Sequence, residues 1–153
     1  MRTLIPLFAA TMMGCGTVGL EAFDTGGEGS PLLGVDPDGD LSFGRVSPAK
    51  EKSAVEEVLL YSAGDTTLAI VDVYLNESSS GAYTVRNDLP LPLLLQPGGE
   101  FPVEVRFAPF AVGSFSGELV VLFDNGTEEG ESARIPIVGQ GCEDPDQTGS
   151  CAD

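Results

Sequence analysis

The sequence predicts an all-β chain folded as an antiparallel β-sandwich of about seven strands. Three observations carry this. Short apolar runs alternate with polar clusters containing Gly and Pro from Leu41 to Gly141. Residues 101–107 alternate strictly, with Phe101, Val103, Val105 and Phe107 set against Pro102, Glu104 and Arg106. That two-residue period belongs to a strand with one dry and one wet face. No segment sustains a helical period. Residues 51–60 come nearest, but Val55, Val58 and Leu59 fit either spacing, and the neighbouring segments favour a strand.

The first strand expected is Leu41–Val46. Ala54–Ser62 follows, with Val55, Val58 and Leu60 as its apolar points, and Ala63-Gly64-Asp65 turns the chain. Leu68–Leu75 is rich in β-branched residues and stops at the polar stretch 76–81. Residues 82–86 make a short strand. Residues 89–95 carry Leu at several positions, but Pro90 and Pro92 remove ladder donors, so this stretch reads as an edge or a connection. Pro97-Gly98-Gly99 turns into the strand at 101–107. Residues 115–123 form the next long strand, and Asp124-Asn125-Gly126-Thr127 is a hairpin-type turn in which Asn-Gly supplies positive φ angles. Residues 132–138 close the set. Seven strands within about 100 residues imply an immunoglobulin-like sandwich.

The same residues carry a family likeness. Leu41-Ser42-Phe43-Gly44-Arg45-Val46 resembles the opening of the bacterial immunoglobulin-like domains called choice-of-anchor D, which are related to ASPM-SPD2-Hydin (ASH) and major-sperm-protein-like sandwiches. Further landmarks follow in the family's order: Gly64 before Leu68, Leu95-Gln96-Pro97-Gly98-Gly99, then Val103-Glu104-Val105-Arg106-Phe107-Ala108-Pro109. Gly113 with the strand at Phe115, and Ile135-Pro136-Ile137-Val138-Gly139-Gln140-Gly141, complete the pattern over residues 41–141. Ser62 stands where the family commonly has Asn. The resemblance implies an adhesive, scaffolding or spacer module. Within it, Gly44, Gly64 and Gly113 read as turn or bulge positions and Phe43, Phe107 and Phe115 as core.

The N-terminus carries a second pattern. Arg2 precedes an apolar run from Leu4 to Met13, which is too short to span a bilayer as a helix. A charged start, an apolar middle and a small residue form a secretory signal. Gly14-Cys15 directly after the run resembles the lipobox of bacterial lipoproteins, although Met12 stands where that family usually has Leu. The resemblance implies diacylglyceryl transfer to the Cys15 thiol and cleavage before it. An ordinary signal peptide, and so a freely secreted domain, is the alternative. The chain has three Cys. With Cys15 lipidated, Cys142 and Cys151 remain as a pair that can form a disulfide in an oxidising compartment.

Composition excludes several functions. The chain carries 24 acidic and 7 basic residues, a formal charge of −17, and no His. Such a polyanion is unsuited to nucleic acid or anionic lipid, which are held by Lys and Arg. Without His there can be no Ser-His-Asp triad, no Cys-His dyad and no His-ligated metal. No catalytic residues and no cofactor are expected. Asp36, Asp38 and Asp40 around Gly39 are the nearest thing to a calcium loop, and they support the alternative of a calcium-dependent adhesion module. Gly39 precedes the third acid, and no later acid stands at EF-hand distance.

The sequence therefore divides as follows. Residues 1–14 form the signal peptide. Residues 15–40 hold lipidated Cys15 and a flexible Gly-rich, acidic tether. Residues 41–141 form the sandwich, and residues 142–153 an acidic tail. The expectation is a non-enzymatic lipoprotein of the cell envelope, outside the cytoplasm, at the outer membrane or cell surface. It would meet the membrane through Cys15 and a protein partner at a strand edge or at the end loops.

Overall fold

A computed structural model describes residues 29–48, 52–86, 88–126 and 130–143. Nine strands occur among them: β1 (Leu33–Asp36), β2 (Leu41–Val46), β3 (Ala54–Ser62), β4 (Leu68–Leu75), β5 (Tyr83–Val85), β6 (Leu93–Leu95), β7 (Glu100–Phe107), β8 (Gly113–Asp124) and β9 (Glu131–Gly141). They form two sheets, a four-stranded one in the order β1-β3-β7-β5 and a five-stranded one in the order β2-β9-β8-β4-β6. The sheets face each other across side chains that alternate inward along each strand. Val58, Leu60, Val103, Val105 and Phe107 come from one sheet; Leu68, Ile70, Leu119, Val121 and Ile137 come from the other. All are fully buried, and burying each such side chain stabilises the fold by about 1.5–3 kcal/mol.

The immunoglobulin-like fold class is observed, with three corrections of detail. There are nine strands, not about seven. β1 lies where a tether was expected, because Leu33 and Val35 pack against the core while the backbone of Leu33–Asp36 pairs with β3 from Leu33↔Ser62 to Asp36↔Leu59. The tether therefore does not extend to residue 40. β6, within the stretch expected as an edge or a connection, is an edge strand beyond Pro92, with Leu95 buried. Finally, the sandwich is not wholly antiparallel: β2 pairs parallel to β9.

That parallel pair explains the segment between β1 and β2. The chain leaves the four-stranded sheet at Asp36, passes through Pro37, Asp38 and Gly39, and joins the five-stranded sheet at Leu41. One N-terminal run thus serves both layers. Gly39 takes φ 141°, a conformation that side-chain-bearing residues rarely adopt. In β2 the register slips between Ser42 and Arg45, with Gly44 at φ 62°, which is a β-bulge.

The registers also define two poles. Tyr61↔Glu100, Ala69↔Asp124 and Phe123↔Glu131 gather the turns at 63–67 and 96–99, with Asn125, Gly126 and Gly130, at one end. The chain enters there, where the Thr66 hydroxyl donates to the Gly29 carbonyl at 2.9 Å. Ala54↔Phe107, Tyr83↔Phe107 and Gly113↔Gly141 gather the turns after β2, β7 and β9 at the other end. The nine-residue β3 sets the separation at about 30 Å.

Gly139 on β9 is the tightest sequence requirement in the core. A Cβ there would lie 2.7 Å from Cε1 of Phe107, and the ring has nowhere to retreat. Gly139→Ala is expected to cost about 1–3 kcal/mol by overpacking, read as a lower urea midpoint. Gly81→Ala, where a Cβ meets nothing within 4 Å, is expected to stay within about 0.5 kcal/mol of the parent.

Candidate interaction surface

The residues singled out in the sequence are not brought together. Cys15 and Cys151 lie outside the described residues. Cys142 is buried at the end of β9, and its N–H donates to the Val46 carbonyl at 2.9 Å, so it belongs to the sandwich and not to a tail. Beside it the buried Ser47 hydroxyl donates to the Glu143 carbonyl at 3.4 Å. Asp36, Asp38 and Asp40 are exposed and strung along the crossing between sheets. Among the described residues no group of three or more His, Cys, Asp or Glu is arranged to hold a metal ion. No helix there is long and apolar enough to cross a membrane.

All four sheet edges are poor templates for strand addition. β5 and β6 are three residues long, and β1 is four. β2 is the longest, but its bulge at Gly44 breaks the ladder midway. Short edges and bulges are the usual means of preventing edge-to-edge pairing. This turns attention from the edges to the ends.

The two ends differ in charge. The pole where the chain enters carries Asp65, Glu100, Asp124 and Glu131 on its described turns and strand ends. The opposite pole carries Lys52, Glu77 and Glu143 on its described turns. Residues 108–117 contain no charge at all. Within that run Phe110 is 74 % exposed. It is held by aromatic contact: its ring meets Phe115 edge-on, with centroids 5.2 Å apart, and Phe115 meets the buried Phe107 at 5.7 Å. A line of rings thus runs from the core to the surface.

Next to Phe115 the outer face of the five-stranded sheet forms an open groove of about 500 Å³. Ser42 and Arg45 of β2, Val138 and Gln140 of β9, and Ser114 and Ser116 of β8 line it. Pairings Ser42↔Val138↔Ser116 and Arg45↔Gln140↔Ser114 place these side chains in two rows across three strands. Sequence reasoning missed the groove because the residues come from distant segments. The charge-free run 108–117 was the one signal that pointed to it.

Other polar groups brace the sandwich. Asn76 donates from Nδ2 to Glu118 Oε1 at 2.9 Å, and Arg134 donates from Nη1 to the same oxygen at 2.7 Å. The amide hydrogen bond first, and the guanidinium second, hold the Glu118 carboxyl below its ordinary value of 4.5. Arg86 forms an exposed bridge to Asp88 and contacts Glu104 at 3.3 Å. Tyr83 is buried, and its hydroxyl donates to the Phe115 carbonyl at 2.8 Å. Burial pushes its pKa up to about 12.

These shifts give two pH predictions of opposite sign. Tyr83 is harder to ionise folded than unfolded, so its contribution is complete below pH 10.0 and is lost as pH rises towards about 12. Tyr83→Phe is expected to be less stable at neutral pH by about 0.5–1.5 kcal/mol and to lose that alkaline dependence. Glu118 has a lowered pKa, so its contribution is present above pH 4.5 and is lost as pH falls. Glu118→Gln is expected to melt below the parent at neutral pH and to converge with it in acid. Thermal melts across the pH range read both.

No family model matches the sequence. No curated protein matches it. Solved structures do match. The ASH / PapD-like domain 7 of human CEP192 superposes with a TM-score of 0.56 at 18% identity, over 75% of this chain and 88% of that one. A protein of unknown function from Porphyromonas gingivalis W83 superposes with a TM-score of 0.56 at 14% identity, over 72% of this chain. This chain spans 46% of that protein's length. The described residues have the fold of an ASH-like immunoglobulin-type domain.

Proposed function

We propose that the chain is a non-enzymatic lipoprotein of the cell envelope, held to a membrane by lipid on Cys15 and serving as a structural or binding module. The observation that carries this is Gly14-Cys15 directly after the apolar run 4–13. Several acyl chains on one residue give stable attachment, since each buried CH₂ contributes about 0.8 kcal/mol. The fold supports the reading, because the chain enters at one pole and leaves the low-charge pole with Phe110 about 30 Å away. A partner would therefore be met at the end loops and the adjoining sheet face, not at a strand edge. Cys142 and Cys151 pair in the oxidising compartment that export implies. The calcium-dependent alternative has little support, since Asp36, Asp38 and Asp40 do not converge on a common point.

The test is the intact mass and detergent partition of the membrane-extracted protein beside Cys15→Ala. The expected wild-type species starts at Cys15, carries lipid, enters the detergent phase and is two hydrogens lighter than its reduced form. The Cys15→Ala variant is expected to leave the detergent phase. An unlipidated mature chain would instead make this a freely secreted sandwich.

A further inference from the structure

We propose that Asn125 is a site of self-modification, in which its side-chain amide closes onto the backbone nitrogen of Gly126, Asp124 takes the proton, and ammonia leaves. The products are aspartate and isoaspartate at position 125. The site is independent of the lipid anchor and of any binding partner. Asn125 stands just beyond the end of β8 and is followed by Gly126. Asn76 offers a comparison within the same chain. It is followed by Glu77, and its Nδ2 donates to Glu118 Oε1 at 2.9 Å, which holds that amide against β8.

Three features favour ring closure at Asn125. Gly126 is exposed and has no side chain to crowd its nitrogen, and a Cβ there would approach nothing nearer than Pro31 Cδ at 3.9 Å. The nitrogen is also not bonded into the sheet. The β8–β9 ladder ends at Phe123↔Glu131, and the Gly126 N–H donates instead to Asp124 Oδ1 at 2.8 Å. A ladder amide would have to give up a backbone hydrogen bond before it could attack, and that loss is costly. Finally, the acceptor of the Gly126 N–H is a carboxylate, already within reach of the proton that must be removed.

The step needs no reagent besides water. The Gly126 nitrogen bonds to Asn125 Cγ while its proton passes to Asp124. The Cγ–Nδ2 bond then breaks, and the same proton completes the departing ammonia. Water opens the resulting succinimide at either carbonyl, giving aspartate or isoaspartate. Both products add a negative charge to the pole that already carries Asp65, Glu100, Asp124 and Glu131. Isoaspartate also puts an extra carbon into the main chain between β8 and β9, which pair from Gly113↔Gly141 to Phe123↔Glu131.

The experiment incubates the full-length protein at neutral pH, native and in urea, and follows it by peptide mass mapping and by enzymatic methylation of isoaspartate. The peptide holding Asn125 is expected to convert to two products in which an amide nitrogen is replaced by oxygen, the isoaspartyl form in excess. The peptide holding Asn76 is expected to stay unchanged over the same time. The native chain is expected to convert at least as fast as the chain in urea. Asn125→Gln is expected to abolish conversion with an unchanged melting temperature, because its longer side chain would have to close a six-membered ring. Asp124→Ser keeps a side-chain acceptor in the turn but not the carboxylate, and is expected to slow conversion several-fold. Slower conversion in the native chain than in urea would overturn the proposal, since the turn would then protect the amide. Equal rates in the parent and Asp124→Ser would overturn it too, since the carboxylate would then play no part.

Discussion

Phe107 packed against the bare backbone of Gly139 joins the two layers of the sandwich. Phe107 belongs to the four-stranded sheet and Gly139 to the five-stranded one. Around the Phe107 ring stand Tyr83 at 4.9 Å, Phe43 at 5.6 Å and Phe115 at 5.7 Å, drawn from three further strands. Each aromatic pair adds about 0.5–1.5 kcal/mol beyond burial. Only a residue without a side chain lets β9 approach the ring this closely. The Tyr83 hydroxyl then ties the cluster to the β8 backbone at Phe115. The position of β9 follows from this packing, and so does that of the groove, whose residues flank Gly139 on β9's outer face.

The legible parts of the fold are those in which local chemistry and tertiary packing agree. Leu41–Val46, Ala54–Ser62 and Leu68–Leu75 have the boundaries their apolar spacing implies. β1 was hidden because Leu33 and Val35 sit among Gly34, Pro37 and two Asp residues, a composition that suggests a solvated linker. Only pairing with β3 makes it a strand. Pro90 and Pro92 lead into β6, which is an edge strand, one of the two places their missing donors allow. The parallel pairing of β2 with β9 has no local signal, since register between distant segments is set by the whole core.

The candidate surface was less legible for the same reason. Ser42, Ser114 and Ser116 look like ordinary wet-face residues when each strand is considered alone. Their alignment depends on two pairings, one of them across the β2 bulge. Asp36, Asp38 and Asp40 show the converse. Their spacing suggests a shared ligand, but the segment is a crossing whose exposed acids keep it hydrated between sheets. Proximity in sequence separated these groups in space, and distance in sequence brought the serines together.

The split N-terminal run also has a mechanical meaning. β1 and β2 run along the long axis of the sandwich, one bonded to each sheet. A pull on the chain at Gly29, opposed by a load at the far pole, acts along these strands and not across them. The hydrogen bonds of β1 to β3 and of β2 to β9 then share the force in shear, and must yield together instead of unzipping one after another. A domain entered through strands bonded to both layers in this way resists a pull along its long axis.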